Sequence, residues 1–223
     1  VAIYSLEGTQ GSGKTTAAVG IVYEQWRQFG RRIISNDHLT CPYTHFNLEY
    51  FLDHMTHDDG GLENCSLLLD ESYQYMDSRL SQSKLSKLFT WFIVQTRKRG
   101  VDLYVCTHHI MNIDVRLRRA CDVRGACREF IQDPCPKCKG LGFVSTKPKS
   151  EVVEEVGGGY KCPMCLGFGK TGFIRVSFLN KRKRRRMTME LFGPNYWSLF
   201  QTREKIPLQS KVLAGIDTLE IIG

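Results

Sequence analysis

No stretch of the chain approaches the roughly 18–20 consecutive apolar residues that a membrane span needs, and no basic-then-apolar secretory leader stands at its start. The sequence opens directly into an apolar run, Val1 to Leu6, read as an intact first strand, and a cytoplasmic protein is expected. Acidic residues are outnumbered, 23 against 31 lysines and arginines, which leaves a formal net charge of +8. A surplus of that sign favours polyanionic partners such as nucleic acid, through phosphate neutralisation and counterion release. Cysteine is not scarce, but its nine copies are an odd number without a leader, which argues against a secreted disulfide scaffold. Cys41, Cys65, Cys106, Cys121 and Cys127 are scattered through apolar sequence and are expected to be small buried hydrophobes. Hydrophobic residues at 42% and charged residues at 24% exclude a disordered chain and fit one α/β domain with a small insertion.

The pattern alternates strands and helices. Val1–Leu6 reads as a buried strand, and a glycine-rich loop leads into a helix over 14–29 with Ala18, Ile21, Val22, Trp26 and Phe29 on one face. A strand over 32–35, a short helix near 48–54 and a loop at Asp58-Asp59-Gly60-Gly61 follow. His54, His57, Asp58 and Asp59 carry no metal-ligand spacing and are read as a solvated loop. Cys65–Leu69 is an unbroken apolar run, as a strand covered on both faces requires. A helix over 83–99, with Leu85, Leu88, Phe89 and Phe92 on one face, closes on Arg97-Lys98-Arg99 and Gly100, and a strand follows over 101–106. This order predicts a mainly parallel, doubly wound sheet. Further strands are expected near 128–131 and 173–179, and one or two within 196–222. The division expected is a core over 1–130, an insertion over 131–172, and a β-rich segment over 173–223 that completes the core.

Gly8-Thr9-Gln10-Gly11-Ser12-Gly13-Lys14-Thr15 fits G-x-x-x-x-G-K-[ST], and it stands between a predicted strand and a predicted helix, the context the motif needs. The glycines let backbone N–H groups turn inward around a phosphate, and the helix N-terminus adds dipole and unpaired donors. Thr16 completes the nucleotide-binding set. Lys14 would reach the β- and γ-phosphates of ATP or GTP, and the Thr15 hydroxyl would ligate Mg²⁺. Asp70, at a strand end, would hold the Mg²⁺ through its shell, and Glu71 would polarise the attacking water. His108, after Thr107 at the end of the next strand, falls beside the γ-phosphate as a sensor or sits as a structural histidine. Arg97, Arg99, Arg116, Arg118 and Arg119 are candidates for an arginine finger.

Cys135-Pro136-Lys137-Cys138-Lys139-Gly140-Leu141-Gly142 and Cys162-Pro163-Met164-Cys165-Leu166-Gly167-Phe168-Gly169 are two copies of C-x-x-C-x-G-x-G. Four thiolates make a closed tetrahedral set suited to structural Zn²⁺, with no open position for catalysis; two redox dithiols are the alternative. The repeat resembles the zinc-binding repeats of the DnaJ chaperones over about 35 residues, which implies a metal knuckle and not a chaperone. Lys181-Arg182-Lys183-Arg184-Arg185-Arg186 is a run of cations that could grip DNA phosphates near the zinc module or line a ring's pore, or form a solvated turn.

The P-loop, Asp70-Glu71, and the block Gln95-Thr96-Arg97-Lys98-Arg99-Gly100 through Thr107-His108 together resemble the zonula occludens toxin-like ATPases of the FtsK–HerA superfamily. Asp114-Val115-Arg116-Leu117-Arg118 and the stretch from Tyr196 to Glu204 add to the likeness, which covers residues 1–120 and 196–206. The resemblance implies ATP hydrolysis coupled to DNA movement, genome packaging or virion assembly by a homo-oligomeric ring, commonly a hexamer, acting on double- or single-stranded DNA with a possible capsid or assembly partner. In this likeness His108 takes a sensor position where Gln is more usual. The absence of a span favours packaging or translocation over membrane-bound export. Two other readings stand. Thymidine kinases also join a P-loop, an Asp-Glu strand and a four-cysteine module, although the glycine-rich knuckles and the Arg97–Gly100 block are not their pattern. A nucleotide-dependent assembly protein with little turnover is the third.

Overall fold

The computed structural model describes residues 1–57, 60–80, 83–147, 155–156 and 159–200. An eight-stranded sheet runs through it. Its strands are β1 (Ile3–Glu7), β2 (Arg32–Ser35), β3 (Thr44–His45), β4 (Cys65–Leu69), β5 (Asp102–Thr107), β6 (Val123–Pro134), β10 (Lys170–Asn180) and β11 (Arg185–Phe192), in the spatial order β11-β10-β6-β1-β5-β4-β2-β3. The six strands from β6 to β3 are parallel, and β10 and β11 extend the sheet antiparallel. Strands β7 (Phe143–Val144), β8 (Glu155–Val156) and β9 (Gly159–Lys161) form a separate small sheet between β6 and β10.

Alternation along each strand sends side chains to two cores. Leu6, Ile33, Leu68, Tyr104 and Cys106 pack with Ala17, Ala18, Val19 and Val22 of helix α1 (Lys14–Phe29). Ile34, Leu67, Leu69, Leu103 and Val105 face the other way, onto Phe51 of α2 (Leu48–His57), Phe89 and Phe92 of α3 (Lys84–Gln95), and Leu117 of α4 (Val115–Ala120). All five scattered cysteines are buried, as small hydrophobes would be.

Several boundaries differ from the sequence reading. Phe29, placed on the buried face of α1, is 77% exposed in the last turn, where Gly30 ends the helix with φ 64°. Helix α2 runs on to His57, so His54 and His57 are helical; Asp58 and Asp59 lie outside the described residues. Helix α3 is shorter than expected. The Ser83 hydroxyl caps it by accepting from the Ser86 N–H, and Thr96 N–H bonds back only to Ile93 O, which tightens the last turn before Gly100 (φ 69°). Both β6 and β10 outrun their apolar cores because each is the other's antiparallel partner from Val123↔Asn180 to Pro134↔Lys170. Tyr196 to Phe200, expected as strand, instead folds as 3₁₀ turn over Trp197–Leu199 and ends in a single bridge to Leu39, with Tyr196 packed on Gly20 of α1. The remaining strands expected within 201–222 lie outside the described residues.

The sheet has two unlike edges. The parallel strands carry Glu7, Ser35, Leu69, Thr107 and Pro134 to one edge, where β10 begins. At the opposite edge stand the start of β6, the end of β10 and the hairpin turn into β11.

Candidate active site

The phosphate-loop motif forms the turn between β1 and α1 at the C-terminal edge. Gly13 takes φ 82° as the residue before the first helical turn, and a Cβ there would lie 3.0 Å from Ile174 of β10. Gly8 crosses against the Cys127 carbonyl of β6 where a side chain has no room. Thus the loop is shaped by β6 and β10 as much as by its own sequence. Thr9, Gln10 and Gly11 form its exposed crest, while Ser12, Lys14 and Thr16 are buried. Lys14 Nζ donates to Thr9 O at 2.8 Å, folded across the loop. The Ser12 hydroxyl is buried without a partner among the described residues. A buried donor of this kind, beside unpaired helix N–H groups, fits a bound anion.

Opposite the loop, the Thr15 hydroxyl donates to Asp70 Oδ2 at 2.7 Å. A hydroxyl and a carboxylate oxygen converging at this distance are hard oxygen donors suited to one Mg²⁺. Asn36, which the sequence reading did not single out, clamps the Asp70 backbone. Its Oδ1 accepts from Asp70 N–H and its Nδ2 donates to Asp70 O, each at 2.8 Å. The only signal was a polar Ser35-Asn36-Asp37 step following a buried strand. Burial pushes the Asp70 carboxyl above the usual carboxylate range; the Thr15 hydroxyl and Glu71 N–H pull against that shift. Glu71 holds φ 50°, uncommon for a non-glycine residue, with its N–H donated to Asp70 Oδ1 at 2.9 Å. Strain of this type is often stored at functional sites.

Strand β5 lies between β1 and β4, in register Glu7↔Thr107 and Leu69↔Val105. That places Thr107-His108 between the loop and the Asp70-Glu71 pair, with His108 Nε2 4.0 Å from Glu71 Oε1. His108 is 44% exposed, so it flanks Glu71 at the rim.

The candidate finger arginines lie elsewhere. Arg116 is bound to Asp114 through two of its nitrogens, at 2.9 and 2.8 Å. Arg97 pairs with Asp122 at 3.4 Å. Arg99 is buried with its guanidinium 6.0 Å from the Trp91 ring centroid. Arg118 and Arg119 end α4 at the edge opposite the loop.

The four knuckle cysteines converge between β6 and β10. Their ligand atoms lie within 4.8 Å of one another, with Sγ···Sγ separations of 3.8 Å for Cys135/Cys162 and 3.7 Å for Cys138/Cys165. A zinc tetrahedron with Zn–S of about 2.3 Å has edges of about 3.8 Å, so the set fits Zn²⁺. The two copies are related by a local two-fold exchange. Cys135 N–H donates to Gly169 O and Cys162 N–H to Gly142 O, while Leu141 N–H and Phe168 N–H return to Cys138 O and Cys165 O. Lys139 and Leu166 match at φ 51° and 52°, and Gly140 and Gly167 at 90° and 91°.

One expectation is overturned. The run Lys181–Arg186 is not near this module. It forms the turn from β10 into β11 at the opposite edge, and the eleven residues of β10 separate the two by roughly 33 Å. An antiparallel strand entering at the knuckle must leave at the far side of the sheet.

A search of solved structures returns the N-terminal domain of zonular occludens toxin from Neisseria meningitidis, at 14% identity over 90% of this chain and 99% of that one, with a TM-score of 0.52. The genome packaging NTPase B204 from Sulfolobus turreted icosahedral virus 2, in complex with AMPPCP, aligns at 10% identity over 84% of this chain and 96% of that one, with a TM-score of 0.51. The chain shares the fold of these two structures, a P-loop NTPase fold. B204 from Sulfolobus turreted icosahedral virus, described as a DNA-packaging ATPase, aligns equally well, with a TM-score of 0.50. No family model and no curated protein sequence matches the chain. Within this P-loop NTPase fold, no helix among the described residues is long and apolar enough to cross a membrane.

Proposed function

We propose that the protein is an ATP-hydrolysing motor that moves DNA, of the genome-packaging or virion-assembly kind, working as a homo-oligomeric ring. The observation that carries the nucleotide reading is the Thr15–Asp70 contact at 2.7 Å beneath a loop whose lysine folds inward. With ATP bound, Lys14 Nζ exchanges Thr9 O for phosphate oxygens, and the Ser12 hydroxyl and the first N–H groups of α1 turn to the anion. Thr15 and Asp70 would hold Mg²⁺, which would supply neutralisation of phosphate charge. Glu71 orients a water for attack in line with the leaving oxygen and takes its proton; His108, beside Glu71, senses the γ-phosphate. Cys135, Cys138, Cys162 and Cys165 would hold Zn²⁺ as a structural clip between β6 and β10, the two strands on which the loop leans.

Support for DNA as the partner comes from the net charge of +8 and from the shared fold with packaging NTPases. The test is ATP turnover by the zinc-loaded protein with and without duplex DNA, with Lys14→Ala and Glu71→Gln as controls. Strong stimulation by DNA, lost in both variants, supports the motor. Turnover indifferent to DNA refutes it, and phosphorylation of thymidine under the same conditions would replace it with a nucleoside kinase.

A further inference from the structure

Three basic segments, far apart in sequence, meet at the edge of the sheet opposite the phosphate loop. Arg97-Lys98 follow α3, Arg118-Arg119 end α4, and Lys181–Arg186 turn β10 into β11. One residue ties them together. Asp122 is only 7% exposed and precedes β6; its Oδ1 accepts from Arg97 at 3.4 Å and pairs with Arg182 at 2.5 Å. Lys181 Nζ donates to the Arg118 carbonyl at 2.8 Å, which fastens the hairpin to α4. A single carboxylate oxygen shared by two guanidinium groups holds like charges within about 6 Å of each other and neutralises only one of them. Lys98, Arg119 and Lys183 to Arg186 add exposed cations around that pair. The fold therefore concentrates positive charge here beyond what its own carboxylates balance.

Resting on the motor reading above, we infer that this composite edge, and not the Lys181–Arg186 run alone, is the docking surface for a duplex DNA backbone. Phosphate oxygens are the complementary chemistry, since guanidinium groups pair with them bidentately. Strands β11 and β5, which the hairpin and the α3 turn respectively enter, stand four strand spacings apart, about 19 Å. Arg97 and Arg182 draw together at Asp122 between those strands, and the exposed cations on either side of them can meet phosphates across a major groove about 12 Å wide. A single-strand site instead needs stacking rings along a narrow track, and none of the three segments contains an aromatic residue. The surface faces away from the nucleotide site, so polymer and ATP do not compete for it.

The test takes one exposed lysine or arginine from each segment, Lys98→Gln, Arg119→Gln and Lys183→Gln, leaving Arg97 and Arg182 to neutralise Asp122. Binding of a fluorescent duplex is followed by anisotropy from low to physiological salt, with thermal midpoint and zinc content as checks on folding. Each variant is expected to lower duplex affinity and to reduce the slope of log K against log salt by up to about 0.9, the value for one lost phosphate contact. If the wild type binds duplex but only Lys183→Gln moves the slope, or none does, the composite surface is wrong while the motor reading stands. A single-stranded oligonucleotide or polyglutamate that displaces the duplex equally well also overturns it. No duplex binding by the wild type removes both readings.

Discussion

The knuckle glycines permit a sharp, internally controlled experiment on the metal site. Gly142 has φ 83°, and a Cβ built on it would lie 2.5 Å from the Gly167 carbonyl oxygen of the other copy. Gly140 has a similar φ of 90°, but the nearest atoms to its Cβ position are 3.9 Å away. An alanine at either position bears the left-handed penalty, about 1–2 kcal/mol. At 142 it must also push a backbone carbonyl that the ring of Cys162 N–H→Gly142 O and Cys135 N–H→Gly169 O bonds holds in place. Overpacking of that kind adds about 1–3 kcal/mol. With Zn²⁺ held by the four cysteines as proposed, the segment would fold around its metal, and these energies would appear as lost zinc affinity. At about 1.4 kcal/mol per tenfold, Gly140→Ala should weaken zinc by roughly 5- to 30-fold and Gly142→Ala by roughly 30- to 4000-fold. Neither should abolish binding, because apparent zinc affinities in such sites reach about 10–16 kcal/mol. Competition against a chromophoric chelator at fixed pH measures both. Gly169→Ala, whose added methyl would meet the Gly140 carbonyl, should behave like Gly142→Ala. An equal or larger loss in Gly140→Ala would refute the two-fold interlocking of the knuckles.

Other consequences are open to direct measurement. Asp70→Asn should abolish turnover yet raise the thermal midpoint of the Mg²⁺-free protein. Burial raises the Asp70 carboxyl, so its stabilising contribution is full below the ordinary carboxylate range and is lost as pH rises through the folded value; the gain over wild type should therefore grow from acid to neutral pH, and a gain that shrinks instead would contradict this. Gly13→Ala meets both a left-handed φ and Ile174 at 3.0 Å, and should weaken nucleotide binding by about 5- to 30-fold or more, from a cost of about 1–2 kcal/mol or more, as titration calorimetry would show. Asp122→Ala removes the acceptor for the buried Ile3 N–H and should destabilise by about 1–3 kcal/mol in chemical denaturation. Its two arginine partners are more than half exposed and rehydrate, so the ion pairs themselves add little. Chelating the zinc should loosen the ends of β6 and β10 and lower nucleotide affinity through Cys127 and Ile174, a coupling that binding assays before and after zinc restoration would detect.

What was legible in the sequence was chemistry that is local. The loop from Gly8 to Thr15 and the doubled C-x-x-C-x-G-x-G each fit within eight residues, so spacing alone specifies the geometry. The parallel strands were legible for a related reason: Cys65–Leu69 and the stretch before Thr107 are short apolar runs that only a doubly covered sheet can bury. What sequence left hidden was pairing. Nothing in Arg185–Phe192 alternates cleanly, because only its far end is buried and its near end is a solvated arm of a hairpin. The clamp of Asn36 on Asp70 spans 34 residues and has no local pattern. The position of the basic run depended on the length and direction of β10, neither of which its own residues reveal.

The separation of the two edges follows from the helices as much as from the strands. Helix α1 presents its N-terminus at the C-terminal edge of the sheet, where its unpaired N–H groups and dipole suit a phosphate. Helices α3 and α4 run in the same direction as α1, away from that edge, and bring their C-termini to the far one, where Arg97-Lys98 and Arg118-Arg119 complement the negative dipole ends. That accounts for four of the cations without any ligand. It does not account for the hairpin, which belongs to no helix and yet is fastened to α4 by Lys181 and to Asp122 by Arg182. Binding those extra charges to an edge that is already positive raises repulsion in the free protein, and a polyanion relieves it. The same sheet thus presents the phosphate-loop motif on one edge and a cluster of cations on the other, joined through β6 and β10, whose ends the four cysteines bring together.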